Sequence, residues 1–138
     1  MSTTLKVGDN ASITRSFTEQ DVIEYAELSG DKNPAHLDAE YAAQTQFKHR
    51  IVHGMLVGSL FSALLGAHLP GEGTIYMGQD LKFKAPVYLD MEIVASVEII
   101  KIHETKPIVT LKTTCVDSDG NVLVMGEAVA FVPWLTRD

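Results

Sequence analysis

The second half of the chain alternates. From Met91 to Ile99 the odd positions Met91, Ile93, Ala95, Val97 and Ile99 are apolar, and Glu92, Ser96 and Glu98 stand between them. A period of two puts one face of a strand on a core and leaves the other partly wet. Residues 74–83, 91–103, 108–116 and 122–132 are rich in Val, Ile and Thr and separated by turn residues, which predicts four strands. Asp117-Ser118-Asp119-Gly120-Asn121 reads as a hairpin loop. The first half is different. After a possible strand over residues 11–17, Thr18 starts a helix with Asp21 completing a capping box, although Glu or Gln is the usual partner. Val22, Tyr25, Ala26 and Ser29 share one face of that helix, and Gly30 ends it.

Pro34 pushes Asn33 out of the α region, so the stretch from Asp31 to Leu37 is not helical throughout. Asp38 is placed to cap a short helix through Gln44, and residues 47–50 read as a polar loop. Gly54 opens the most apolar element, which runs to Leu69 and would span about 24 Å as a helix. It is apolar nearly all round, so it should be buried on most sides. Pro70-Gly71-Glu72-Gly73 stops it. Helices early and strands late predict an α+β fold, an antiparallel sheet covered by one long apolar helix.

Composition narrows this picture. The 138 residues fit one domain, residues 1–138, and 46% hydrophobic with 21% charged is ordinary for a globular chain with a real core. The net charge of −7 argues against nucleic-acid binding, which needs a basic footprint. The run from Met55 to Leu69 is short for a membrane span and carries Ser59, Ser62 and His68, so no membrane partner is expected. Residues 1–6 lack the basic and apolar blocks of a signal peptide. A single cysteine, Cys115, permits neither an internal disulfide nor a cysteine-based zinc site and reads as a buried structural thiol. A cytoplasmic location fits these features.

Two segments carry polar groups that a fold does not need. Asp31-Lys32-Asn33-Pro34-Ala35-His36 puts a carboxylate and an imidazole five residues apart on a Pro-bent loop. An aspartate can take a proton and a protonated histidine can give one near neutral pH. The same spacing also suits a capping Asp31 and a satisfied surface His36, and spacing alone does not separate the two. Ile51-Val52-His53-Gly54 heads the apolar helix. The first N–H groups of a helix lack internal partners and carry partial positive charge, which suits an oxyanion or a thioester carbonyl. Gly54 would let a ligand approach closely, or would serve tight packing alone. His49 and His53 are four apart, but the residues between them read as loop or extended chain, so no metal is expected. No Gly-rich phosphate loop and no Gly-x-Ser-x-Gly elbow occurs.

Together these segments resemble a known family. Asp31-x-Asn33-Pro34-x-His36, followed by Ile51-Val52-His53-Gly54-Met55-Leu56, is similar to the signature of MaoC-like (R)-specific enoyl-CoA hydratases of the short, single-domain bacterial type that feeds polyhydroxyalkanoate synthesis. The resemblance extends through Leu60-Phe61-Ser62-x-Leu64-Leu65-Gly66, Leu81-x-Phe83-x-x-Pro86-Val87 and Gly126-Glu127-Ala128-Val129. It implies a hot-dog fold, in which an antiparallel sheet wraps a long central helix. It also implies that Asp31 and His36 hold a catalytic water and that the Gly54 N–H polarises the thioester carbonyl. Asn33 would shape the loop, Ser62 would support the catalytic pair, and Leu65 would line the acyl pocket. No cofactor is implied, since the substrate brings its own CoA. A homodimer is implied, with CoA near the subunit interface. Lys48, Arg50, Lys82 and Lys84 are candidates for its phosphates. A hot-dog thioesterase, a 3-hydroxyacyl-[acyl-carrier-protein] dehydratase and a non-catalytic acyl-CoA-binding module remain as rival readings.

Overall fold

The chain begins with β1 (Asn10–Arg15), and then turns helical where the sequence places the cap. In α1 (Glu19–Ser29) the Thr18 side chain accepts the Asp21 N–H at 3.1 Å, and the Asp21 carboxylate accepts the Thr18 N–H at 2.9 Å. The shorter Asp therefore completes the reciprocal cap. Gly30 ends the helix at φ 84°, a left-handed conformation that costs glycine little. Val22 and Ala26 of the expected face are buried, Tyr25 is half-buried, and Ser29 is exposed. Two short helices follow, α2 (Pro34–Leu37) and α3 (Ala39–Ala43). The Asp38 carboxylate caps α3 by accepting the Glu40 and Tyr41 N–H groups. The long helix α4 (Gly54–Ala67) comes next. This computed structural model describes residues 4–136, so Met1, Ser2 and Thr3 of the opening segment and the last two residues of the tail lie outside the described residues.

The strands are β2 (Ile75–Gln79), β3 (Lys82–Phe83), β4 (Ile93–Ile102), β5 (Ile108–Asp117) and β6 (Val122–Phe131). They form one sheet in the order β1-β4-β5-β6-β2, with β3 also on β6. All of its strand pairs are antiparallel. The expected single strand over residues 74–83 is two pieces. β2 shifts register against β6 between Tyr76 and Gly78, and the break falls after Gln79, where the Asp80 carbonyl packs on Gly126 so closely that a Cβ there would lie 2.0 Å from its oxygen. The β5–β6 loop closes as expected. Asp117 accepts the Asp119 and Asn121 N–H groups, and the Asn121 side chain, first among these hydrogen bonds, holds its carboxyl below the usual range.

The alternation seen in the sequence is the core. Ile93, Ala95, Val97 and Ile99 of β4 are fully buried, and they join Val109, Leu111 and Cys115 of β5. Burial pushes the Cys115 thiol up to about 11, which keeps it protonated and inert. From α4, Val57, Leu60, Phe61, Leu64 and Leu65 enter the same core. Each such side chain contributes roughly 1.5–3 kcal/mol by leaving water. The helix touches β1, β2 and β4, so the sheet cups it.

One expectation needs correction. α4 is not buried on most sides: Met55 is 61% exposed, and Ser59, Ser62, Ala63, Gly66 and Ala67 are also exposed. One sheet covers one face of a helix, and the remaining small and apolar residues of α4 face outward. Nearby, Ile75, Tyr76, Met77 and Phe83 are exposed as well. Among the described residues, no helix is long and apolar enough to cross a membrane.

Candidate active site

The loop after α1 is held by its own side chains. The Asp31 N–H donates to Ser29 Oγ at 3.1 Å, and Asp31 Oδ1 accepts the Asn33 N–H at 3.3 Å. Asn33 sits at φ −58°, ψ 129°, outside the α region as Pro34 requires. Its side chain accepts the Ala35 N–H at 3.0 Å and so starts α2 with Pro34 in the first helical position. This single turn swings His36 inward to 8% exposure, while Asp31 stays exposed. Asn33 is thus the residue that shapes the loop.

Two carbonyls fix the tautomers of two histidines. His36 Nδ1 lies 2.8 Å from the Ile51 carbonyl oxygen. A carbonyl only accepts, so Nδ1 carries the proton and Nε2 is left for a ligand. His53 Nε2 lies 2.9 Å from the Asp31 carbonyl oxygen and is a donor by the same argument. His53 is 1% exposed. Its ring stacks on His36 with centroids 3.8 Å apart and meets Tyr25 edge-on at 4.7 Å. Desolvation by burial lowers its pKa below 6.5, and the neighbouring His36 lowers it further against the opposing pull of Asp31. It is therefore neutral at pH 7. In the sequence His53 belongs to the Ile51-Val52-His53-Gly54 motif without a role of its own. The only sequence signal for its burial is its place between apolar Ile51-Val52 and the long helix.

Asp31, His36 and His53 each offer an atom within 4.8 Å of the others. Hydrogen bonds to oxygen are about 2.8 Å long, so one water can bridge the Asp31 carboxylate and His36. The same cluster suits a metal ion poorly. Imidazole lone pairs lie in the ring plane, and the two rings stack at 26°, so their lone pairs run in nearly parallel planes and do not converge.

His53 is also the N-cap residue of α4. The Gly54 N–H finds no acceptor among the described residues and stands at the positive end of the helix. His36 and Gly54 line one cavity of about 390 Å³, together with Phe47, Val57, Phe83 and Lys84. Asp31 stands outside that lining, beside the histidines. Gly54 is demanded by packing too: a Cβ would come within 2.7 Å of the Phe83 ring. Both readings of this glycine are therefore supported at once.

The remaining candidates lie apart. Ser62 is exposed in a second groove with Met55, Ser59, Met77 and Gln79. Eight residues of helix put it roughly 12 Å along the axis from Gly54, and no hydrogen bond joins it to Asp31 or His36 within the chain. Leu65 is 2% exposed and packs in the core.

Known proteins resemble this chain in sequence and in fold. A family model described as the MaoC like domain matches residues 3–120. An (R)-specific enoyl-CoA hydratase from Aeromonas caviae is 49% identical over 129 residues, covering 94% of this chain and 96% of that protein. A mitochondrial 3-hydroxyacyl-[acyl-carrier-protein] dehydratase from Arabidopsis thaliana is 44% identical over 134 residues, covering 95% and 80%. Among solved structures, the (R)-hydratase from A. caviae involved in PHA biosynthesis superposes with a TM-score of 0.91 over 94% of this chain and 98% of that one. The helix-and-sheet arrangement is the hot-dog fold. With the family model matching most of its length and a relative of this identity matching nearly all of it, the chain belongs to the MaoC-like domain family.

Proposed function

We propose that the protein is an (R)-specific enoyl-CoA hydratase, a hydro-lyase that adds water reversibly to trans-2-enoyl-CoA to give (R)-3-hydroxyacyl-CoA, as a single MaoC-like domain. One observation carries the reading: a buried His36, its Nδ1 bound to a carbonyl and its Nε2 left for a ligand, lines one cavity with the helix N–H at Gly54, and the Asp31 carboxylate stands beside that lining within reach of the His36 ring. The thioester carbonyl accepts the Gly54 N–H. That bond strengthens as negative charge builds on the oxygen, and one such donor is worth about 2.7–4 kcal/mol in other enzymes. Asp31 takes a proton from the water as its oxygen bonds to the β-carbon. His36 orients the water through Nε2. To act as the acid, His36 must carry a proton on Nε2 as well as on Nδ1; it gives the Nε2 proton to the α-carbon, and the proton taken by Asp31 passes back to Nε2 to restore both groups. One O–H bond breaks, one C–O and one C–H bond form, and the alkene π bond is consumed. The balance involves no oxidant, so the chemistry calls for no redox cofactor.

The rest of the assignment follows the same site. Asn33 sets the loop. Ser62, in the second groove, and Leu65, packed in the core, lie further along α4 from Gly54. Lys84 lines the cavity, while Lys48 and Arg50 line an adjacent groove with Tyr88. Arg50 also pairs with Glu19 at 3.3 Å, so Lys48 and Lys84 are the freer cations for CoA phosphates. We propose a homodimer through the exposed face of α4 and β2, acting in the cytoplasm and supplying polyhydroxyalkanoate synthesis.

The dehydratase relatives support a second reading, with acyl-carrier protein as carrier and the reaction run in reverse. Incubation with crotonyl-CoA and with crotonyl-acyl-carrier-protein decides between them. Alkene loss without thiol release, faster with CoA, is expected. Thiol release would mean a thioesterase, and preference for the protein carrier would favour the dehydratase.

A further inference from the structure

We infer that His53 is a positioning residue for the hydration, tying the Asp31 main chain and the His36 ring into one unit at the head of α4. The inference rests on the hydratase reading above. Asp31 and His36 belong to different elements, a loop and a one-turn helix, and no hydrogen bond in the structure joins their side chains to each other. His53 contacts both. It donates Nε2–H to the Asp31 carbonyl at 2.9 Å and stacks on the His36 ring at 3.8 Å. Tyr25 of α1 closes the other side at 4.7 Å. The ring is 1% exposed, so this stack is a fixed part of the interior.

The clamp works only with His53 uncharged. Its Nε2 proton is committed to the Asp31 carbonyl, so a second proton would have to go to Nδ1. That atom is buried and has no hydrogen-bond partner. Protonation would create an unpaired buried donor and set a cation against His36. The titratable groups facing His53 are Tyr25 from α1, Asp31 from the loop and His36 from α2. Only Asp31 opposes the effect, first through the backbone carbonyl that accepts the Nε2 proton and then through its carboxylate, and burial outweighs it. Burial already holds His53 below its ordinary pKa. The unit is therefore intact above about pH 6.5 and loosens as pH falls through the lowered value.

Two substitutions separate the parts. His53→Phe keeps an aromatic ring between Tyr25 and His36 but removes the donor. His53→Gln keeps an N–H donor and cannot titrate. Crotonyl-CoA hydration is measured for both and for the unaltered protein across pH 5–8, a range of about one and a half units either side of the histidine reference, with thermal melts as a fold control. We expect His53→Phe to lose between about ten-fold and a hundred-fold in kcat with little change in KM, as for a misplaced catalytic group. His53→Gln should recover part of that loss, and its acid limb should move to lower pH. A His53→Phe kcat within about two-fold of the unaltered protein overturns the inference, being below the cost of even slight misplacement. Should His53→Phe not fold, the pH profile of His53→Gln decides: an acid limb that overlays the unaltered one overturns it. No hydration by the unaltered protein would instead sink the hydratase reading.

Discussion

In the proposed hydration Asp31, His36 and Gly54 act through three different physical means, and each can be removed separately. Asp31→Asn and His36→Ala should each lower kcat by about a hundred-fold to ten-thousand-fold, the usual worth of a general acid or base. Asp31 is exposed, so Asp31→Asn should barely move thermal melting, whereas His36 is 8% exposed and its alanine variant is assayed below its own melting point; near-normal turnover in either would refute the assignment. Gly54→Ala keeps the N–H but puts a methyl 2.7 Å from the Phe83 ring. It should destabilise by about 1–3 kcal/mol, and Phe83→Leu should restore much of that loss in denaturant melts. No recovery would mean that the glycine serves something other than this contact. The residue types of the pair were legible in the sequence, because Pro34 and Asn33 announce a bent loop. The environment was not. Nothing in the chain says that the Ile51 and Asp31 carbonyls fix two imidazole tautomers, since those contacts span fifteen and twenty-two residues.

Elements were read well where a local rule governs them. The Thr18–Asp21 cap, the Gly30 stop, the Asp38 cap and the 117–121 loop depend on neighbours in sequence, and each appears as expected. The alternation in β4 likewise foretold its buried face, because burial on one side of a strand must repeat every second residue. Two readings failed for a shared reason. The split of residues 74–83 falls where Asp80 meets Gly126, and the open face of α4 comes from how much one sheet can cover. Both are long-range facts. Gly126→Ala would place a Cβ 2.0 Å from a backbone oxygen that cannot swing away. It should cost at or above the about 3 kcal/mol upper end for overpacking, seen as a lowered denaturation midpoint, whereas an unshifted midpoint would contradict this close contact. Ser62 lies on α4 as expected, roughly 12 Å along the axis from Gly54.

At the scale of the molecule, the exposed apolar run of Met55, Ile75, Tyr76, Met77 and Phe83 borders β2, the edge of the sheet. Such patches on a water-facing surface mark contacts, and an open strand edge invites pairing. Sedimentation should give twice the 15.1 kDa chain mass, and Met77→Asp should shift it towards the single mass. A monomer for the unaltered chain would remove the homodimer. His53 also links the site to the whole fold. Since the folded state holds it neutral, stability should decline as pH drops from about 6.5 through the lowered value, and His53→Gln should flatten that part of the curve. The central claim is more specific than any of these: water held by Asp31 and His36 adds to one face of an enoyl thioester whose carbonyl rests on Gly54. Its most direct test is the configuration of the product formed from crotonyl-CoA. The account predicts (R)-3-hydroxybutyryl-CoA with the thioester intact, and an (S)-product or free CoA would contradict it.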